Sequence, residues 1–193
     1  MSSTLRNLLS CLFALLPALV SAQNLLINGD FDADLTGWTP NGGGTSTFDA
    51  SSGSPSVGST LLSINDPSGN GVTQAVQQCV AAAGGVDYTI AGRGLIDTVN
   101  STSAGAGTFI IGQFFASSDC SGSPSSTIAN NTGTAAGTPA DFNTYSSTLI
   151  SPVSARSFRL TAQVQTGGPG IAQGWVDHLE LTSTEVIFVN SFE

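Results

Sequence analysis

Asn24-Leu25-Leu26-Ile27-Asn28-Gly29-Asp30-Phe31-Asp32, followed by Leu35-Thr36-Gly37-Trp38, is the stretch on which the reading of this chain turns. Leu25–Asn28 reads as a short apolar strand. Asn28-Gly29 is a tight-turn dipeptide, because both residues tolerate left-handed backbone. Asp30-Phe31-Asp32 is an acidic-aromatic-acidic step, and Trp38 is expected to be buried.

Upstream, residues 1–22 read as an address. Arg6 is the positive end, Leu8 to Val20 is almost wholly apolar, and Val20-Ser21-Ala22 offers small residues for cleavage before Gln23. The run is too short for a membrane span, which needs about 20 residues. Cys11 follows Leu8-Leu9-Ser10, but most of the apolar segment lies after it, against a lipoprotein site.

The chain has no lysine, and its basic residues are Arg6, Arg93, Arg156 and Arg159. With residues 1–22 removed, thirteen acids face three bases, a net charge of −10. Such a surface repels phosphate backbones and anionic lipid, which argues against nucleic acid as a partner. The length suits one domain that buries roughly 70% of its unfolded surface. Twenty-three glycines and abundant Ser and Thr favour strands and turns over helices. Disorder is the competing reading of that composition, and the regular apolar runs oppose it.

Two cysteines follow the leader, Cys79 and Cys120. In an exported chain an even pair reads as one disulfide, with two free thiols as the alternative. His178 is the single histidine, so no zinc spacing exists.

Short period-two runs mark the strands. They fall at Leu25–Asn28, Thr45–Asp49, Ser59–Ile64, Val72–Val80, Val86–Arg93, Thr108–Phe115, Ser126–Ala129, Tyr145–Ile150, Ser157–Gln165 and Ala172–Leu181. Ser157–Gln165 alternates most clearly, with Phe158, Leu160, Ala162 and Val164 expected inward. Residues 116–141 read mainly as loop. Nine or ten strands without a strong helix predict an all-β sandwich of two antiparallel sheets.

The order of motifs resembles the jelly-roll carbohydrate-binding modules of the cellulase-associated, galactose-binding-like group. Asn24 to Asp32 with Gly37-Trp38 is similar to that family's opening "N-L-x-x-N-G-D-F-E … G-W". Gln74 to Thr89 is similar to the Gly turn and Tyr-Thr strand that follow it. Gly174-Trp175-Val176-Asp177-His178-Leu179-Glu180-Leu181 is similar to the closing "V-D-D-V-x-L", with His178 in place of the second aspartate. The resemblance implies a jelly-roll β-sandwich over residues 23–185 that binds polysaccharide on a sheet face or loop rim. It also implies a structural calcium held by Asp32, Asp177 and the backbone near Gly29. Pleat parity turns Asp177 inward with Leu179 and Leu181. A buried carboxylate needs a partner, supplied either by calcium or by backbone N–H groups and hydroxyls.

For a sugar, an apolar floor with a few polar groups is wanted. Parity sends Phe109, Ile111, Gln113 and Phe115 to the outside of their sheet, an apolar row that marks a binding surface. The candidate ligand contacts are therefore Phe109, Gln113 and Phe115, with Arg93, Arg159 and Gln163 (and Gln165) as outward polar partners. In the alternative, loop 116–141 folds over that face and makes the phenylalanines a second small core. Trp38 and Trp175 are expected in the main core, Trp175 by parity with Leu179.

No catalytic residues are assigned. One histidine builds no Ser-His-Asp set, and Asp30, Asp32 and Asp34 sit on one turn rather than flanking a pocket. The expectation is a secreted, non-catalytic, monomeric carbohydrate-binding protein, with a cell-surface structural or adhesive sandwich as the alternative. A small hydrolase is third. Val186-Ile187-Phe188-Val189-Asn190-Ser191-Phe192-Glu193 resembles an "I-F-x-N-G-F-E" tail of exported proteins of certain Gram-negative bacteria. Its other reading is a terminal strand packing Phe188 and Phe192. Asn100-Ser101-Thr102 and Asn130-Asn131-Thr132 fit the glycosylation pattern, which matters only in a eukaryotic secretory pathway. The leader and tail point to a bacterium.

Overall fold

The computed structural model describes residues 23–133 and 142–183. The expected leader, residues 1–22, and the C-terminal stretch 186–193 lie outside the described residues. Ten strands are present: β1 Thr39–Gly42, β2 Thr45–Asp49, β3 Ser59–Asp66, β4 Thr73–Ala81, β5 Asp87–Ile96, β6 Gly107–Phe115, β7 Ser126–Gly133, β8 Asn143–Ile150, β9 Ser157–Gln165 and β10 Gly170–Ser183. One antiparallel sheet has the order β1-β4-β9-β6-β7 and will be called the front sheet. The back sheet has the order β2-β3-β10-β5-β8. The described residues contain no helix.

Alternation builds the core between the sheets. On β9, Phe158, Leu160, Ala162 and Val164 are fully buried, as the sequence predicts. They meet Ile110 and Phe114 of β6 and Tyr88, Ile90, Leu179 and Leu181 of the back sheet in one cluster. Tyr88, Phe114 and Phe158 form an aromatic chain, with ring centroids 5.6 and 4.9 Å apart. Tilted and edge-on rings suit the aromatic quadrupole. Gly92 and Gly112 hold this layer thin. A Cβ on Gly112 would lie 2.5 Å from Ile90 Cδ1 and 2.7 Å from Phe158 Cζ.

The opening segment is not a strand. Leu25 N–H donates to Leu181 O at 2.8 Å, and Leu179 N–H donates to Gly29 O at 2.9 Å. Between them the Asn24 side chain takes over the ladder: its Oδ1 accepts from Leu181 N–H and its amide donates to Leu179 O, each at 3.0 Å. Asn28 and Phe31 then adopt φ of 53° and 46°, which stops extension. Trp38 is buried as expected, 5.2 Å from Phe31 between ring centroids, with its indole N–H donating to Asn28 O at 2.9 Å. The first strand, β1, carries Pro40 and Gly42, which hide it from a pattern search.

A bulge in β10 overturns the expected parity of Asp177 and Trp175. Asp177 pairs with Arg93, but Glu180 pairs with Ala91, so one extra residue enters β10. His178 takes φ 49° at that point. A bulge reverses which face later residues occupy. Leu179 and Leu181 therefore enter the core, whereas Trp175 and Asp177 sit on the outer side of the back sheet. Trp175 is half-buried there, and its indole N–H donates to Asp49 Oδ2 at 2.8 Å.

Candidate functional site

The outer face of the front sheet carries a mixed apolar and polar surface. Register rows run across it: Ala75, Gln163 and Phe109 in one, Gln77, Thr161 and Ile111 in the next, Cys79, Arg159 and Gln113 in the third. Phe109, Gln113, Arg159 and Gln163 are half-buried on this one face. Sequence parity brings these four together correctly.

Phe115 belongs to the same face but is fully buried. Its ring offers no surface to a ligand, which removes it as a platform. Arg159 lies over it, with the guanidinium carbon 4.7 Å from the ring centroid. The loop between β6 and β7 closes across this end of the face. Ser157 Oγ donates to Ser117 O at 2.7 Å and accepts the Cys120 N–H at 3.0 Å. Cys120 is bonded to Cys79, with Cα atoms 6.1 Å apart. The predicted disulfide is present.

A cleft of about 340 Å³ opens where the loop meets the sheet, lined by Gly37, Thr39, Gln77, Gln78, Cys79, Asp119, Cys120 and Arg159. Arg159 is fixed within it. Its Nη2–H and Nε–H donate to Gln113 Oε1 at 2.7 and 3.2 Å, and the stacked Phe115 ring supports it from beneath. Two contacts leave the remaining guanidinium N–H groups as oriented donors. Opposite in charge, Asp119 is held below the usual carboxylate range by the Ser121 hydroxyl and backbone and by Ser117. The cleft thus pairs a pinned cation with an ionised acceptor and the Gln77 amide. Asp119 escapes a pattern search because it lies in a stretch without periodicity. Its position beside Cys120, once bridged to Cys79, is the signal that could have found it.

Arg93 is not part of this site. It sits on the outer side of the back sheet, where its Nη1–H donates to Ser54 Oγ at 2.5 Å. The loop of residues 50–58 covers it together with Asp177, which is 1% exposed. Asp177 Oδ2 accepts from Ser54 N–H at 2.6 Å and Oδ1 from its neighbour's amide, His178 N–H, at 2.7 Å. Burial nevertheless pushes its carboxyl up to about 7. Burial outweighs the two backbone N–H donors, so the neutral acid is favoured there. The rest of the expected calcium set does not assemble. Asp32 is exposed, and the Gly29 carbonyl already accepts from Leu179. Among the described residues no three His, Cys, Asp or Glu side chains gather for a metal. Calcium wants six to eight oxygens, so these side chains alone do not complete its shell.

His178 reaches Asp30 through Nδ1 at 2.5 Å and Glu180 through Nε2 at 3.4 Å. This partly exposed cluster ties the opening turn to the bulge. Among the described residues no helix is long and apolar enough to cross a membrane.

No family model matches the sequence, and no curated protein matches it. Solved structures do. The xylan-binding CBM22-1 domain of Paenibacillus barcinonensis Xyn10C aligns with a TM-score of 0.57 at 13% identity, covering 86% of this chain and 97% of that one. The module TmCBM61, solved with β-1,4-galactotriose, aligns at 0.53 and 15% identity, over 84% of this chain and 99% of that one. The enzymatically active domain of bacteriophage CBA120 tailspike protein 4 aligns at 0.57 and 18% identity, but this chain spans only 21% of it. With two five-stranded antiparallel sheets in this order, the chain has the jelly-roll β-sandwich fold of the carbohydrate-binding modules.

Proposed function

We propose that this protein is a secreted, non-catalytic carbohydrate-binding protein that acts as a monomer and holds a soluble glycan across the outer face of its front sheet. The observation that carries the reading is Arg159, pinned by Gln113 and Phe115 in a cleft shared with Asp119 and Gln77. A guanidinium and a carboxylate held at fixed positions hydrogen-bond adjacent sugar hydroxyls, one donating and one accepting. Phe109 and Ile111 supply the apolar floor beside them, and Gln163 a further polar edge. The fold neighbours support the reading, since their names record xylan and galactotriose as ligands. The disulfide fits an oxidising compartment outside the cytoplasm.

Titration calorimetry with β-1,4-galactan, xylan and soluble β-glucan tests it. Saturable heat with at least one glycan, lost in Arg159→Ala, is the expected result. No heat with any of them, together with no retardation in affinity gels, overturns it.

The second reading is a structural or adhesive surface sandwich without a sugar. One observation favours it: the large apolar side chains most exposed among the described residues are Ile27, Val57, Val99, Ile150, Val153 and Ile171, none of them aromatic. Cell-surface retention without glycan binding would decide for it.

A further inference from the structure

The Cys79–Cys120 bridge lies outside the core. Cys79 is on the outward side of β4, in the same register row as Arg159, and its neighbours Gln78 and Val80 point the other way. The residues that fill the space between the sheets include neither sulfur. What the bridge does hold is the 116–125 loop. Both cysteines line the cleft, and the loop places Asp119 on its wall. Apart from the bridge, the hydrogen bonds that carry the loop's middle to the sheet pass, among the described residues, through the Ser157 hydroxyl. The loop's other bonds are internal, such as Ser117 Oγ–H to Ser121 O at 2.8 Å and Ser121 to Asp119, or close its base, such as Ser125 N–H to Phe114 O at 2.7 Å. Cys79 is also the accessible end of the bridge, whereas Cys120 is 7% exposed.

From this we infer that the disulfide is a latch on the cleft, sensitive to reduction, and not a staple of the sandwich. The inference rests on the glycan-binding reading for its functional consequence. A dithiol reductant supplies both electrons. One of its thiolates attacks Cys79 sulfur, forming a mixed disulfide and releasing the Cys120 thiolate. Its second thiol then displaces Cys79 and leaves as a cyclic disulfide, and the two cysteine sulfurs take up two protons. With the bridge open, the hydrogen bonds from the loop's middle to the sheet are, among the described residues, those of Ser157. Asp119 leaves the wall, and the Phe115 ring that supports Arg159 loses its cover.

The test is hydrogen–deuterium exchange and glycan titration on the oxidised protein, the dithiol-reduced protein and the Cys79→Ser/Cys120→Ser variant. Local opening appears as faster exchange in one segment only. Amides of 116–125 should exchange about tenfold faster or more after reduction, while those of β5, β9 and β10 stay within about twofold. Glycan affinity should fall about tenfold or more in the reduced form and return on reoxidation. Faster exchange throughout the sheets would make the bridge a staple and overturn the inference. Unchanged exchange in 116–125 would also overturn it, because Ser157 would then suffice. If the oxidised protein binds no glycan, the functional reading fails, and the exchange result still decides the latch.

Discussion

Raising the pH from 4 to 8 should destabilise this protein, and Asp177 sets the size of the effect. Its carboxyl is shifted from 3.8 to about 7, chiefly by burial beneath the 50–58 loop, against the two backbone N–H groups of Ser54 and His178. The sign follows from linkage. The folded state favours the neutral acid, so the contribution is complete below the unfolded value near 4. It is lost as pH rises through about 7, because the fold must either hold a proton that the unfolded chain has released or bury a charge. A shift of about three units at about 1.4 kcal/mol each gives an upper figure of about 4 kcal/mol, and solvent screening reduces it to about 2–4 kcal/mol. For a domain of this size that is roughly 5–15 °C in melting temperature. The assay is differential scanning calorimetry at constant ionic strength between pH 4 and 8.5, in a His178→Asn background, which removes the chain's one imidazole. Asn tolerates the left-handed backbone at that position. Asp49 and Asp66 do not interfere. Burial opposes their hydrogen bonds, but those bonds win and hold both near 2; their contributions are lost only in strong acid. Asp177→Asn should flatten the slope whatever it does to the absolute melting temperature. An equal slope in that variant refutes the reasoning.

Arg159→Ala should lower glycan affinity about 10- to 100-fold, as expected for charged hydrogen bonds, and Arg159→Lys should not rescue it, because an ammonium neither stacks as a plane nor bonds through a fork; calorimetry reads both. Gly112→Val should cost about 1–3 kcal/mol in urea unfolding, since its side chain collides with Ile90 and Phe158 in the thinnest layer of the core. Trp38→Phe keeps an aromatic ring against Phe31 but leaves the Asn28 carbonyl without its indole donor, a loss of about 1–3 kcal/mol by the same measurement.

Local pattern made much of the sandwich readable. Ser157–Gln165 is the clearest case: four apolar residues on alternate positions can be buried only on one side of a strand, and they are. The same rule placed Phe109, Gln113, Arg159 and Gln163 on one surface. It failed where the backbone breaks its own period. The His178 bulge reversed Asp177 and Trp175, and nothing in the residue types around it announces an inserted position. Arg93 was assigned to the wrong face of the molecule for a different reason. Its orientation within its strand was read correctly, but sheet order, which sends β5 to the back, is a property of long-range pairing. The opening motif identified the fold while its presumed strand proved irregular, because an asparagine side chain can occupy a ladder position as well as a backbone amide does. The cleft was invisible for a related reason: it is walled by a loop whose position depends on a covalent tie.

The first described residues lie against the end of β10, Leu25 to Leu181 at 2.8 Å. Polypeptide therefore enters and departs at neighbouring points on the rim. A short flexible connector from Ser183 back to Gln23 should close the ring, and new termini cut at an exposed tip such as Gly84-Gly85 should give a permuted protein that still folds. The same adjacency lets the whole unit be spliced into a surface loop of a host protein while the host's own geometry stays undisturbed.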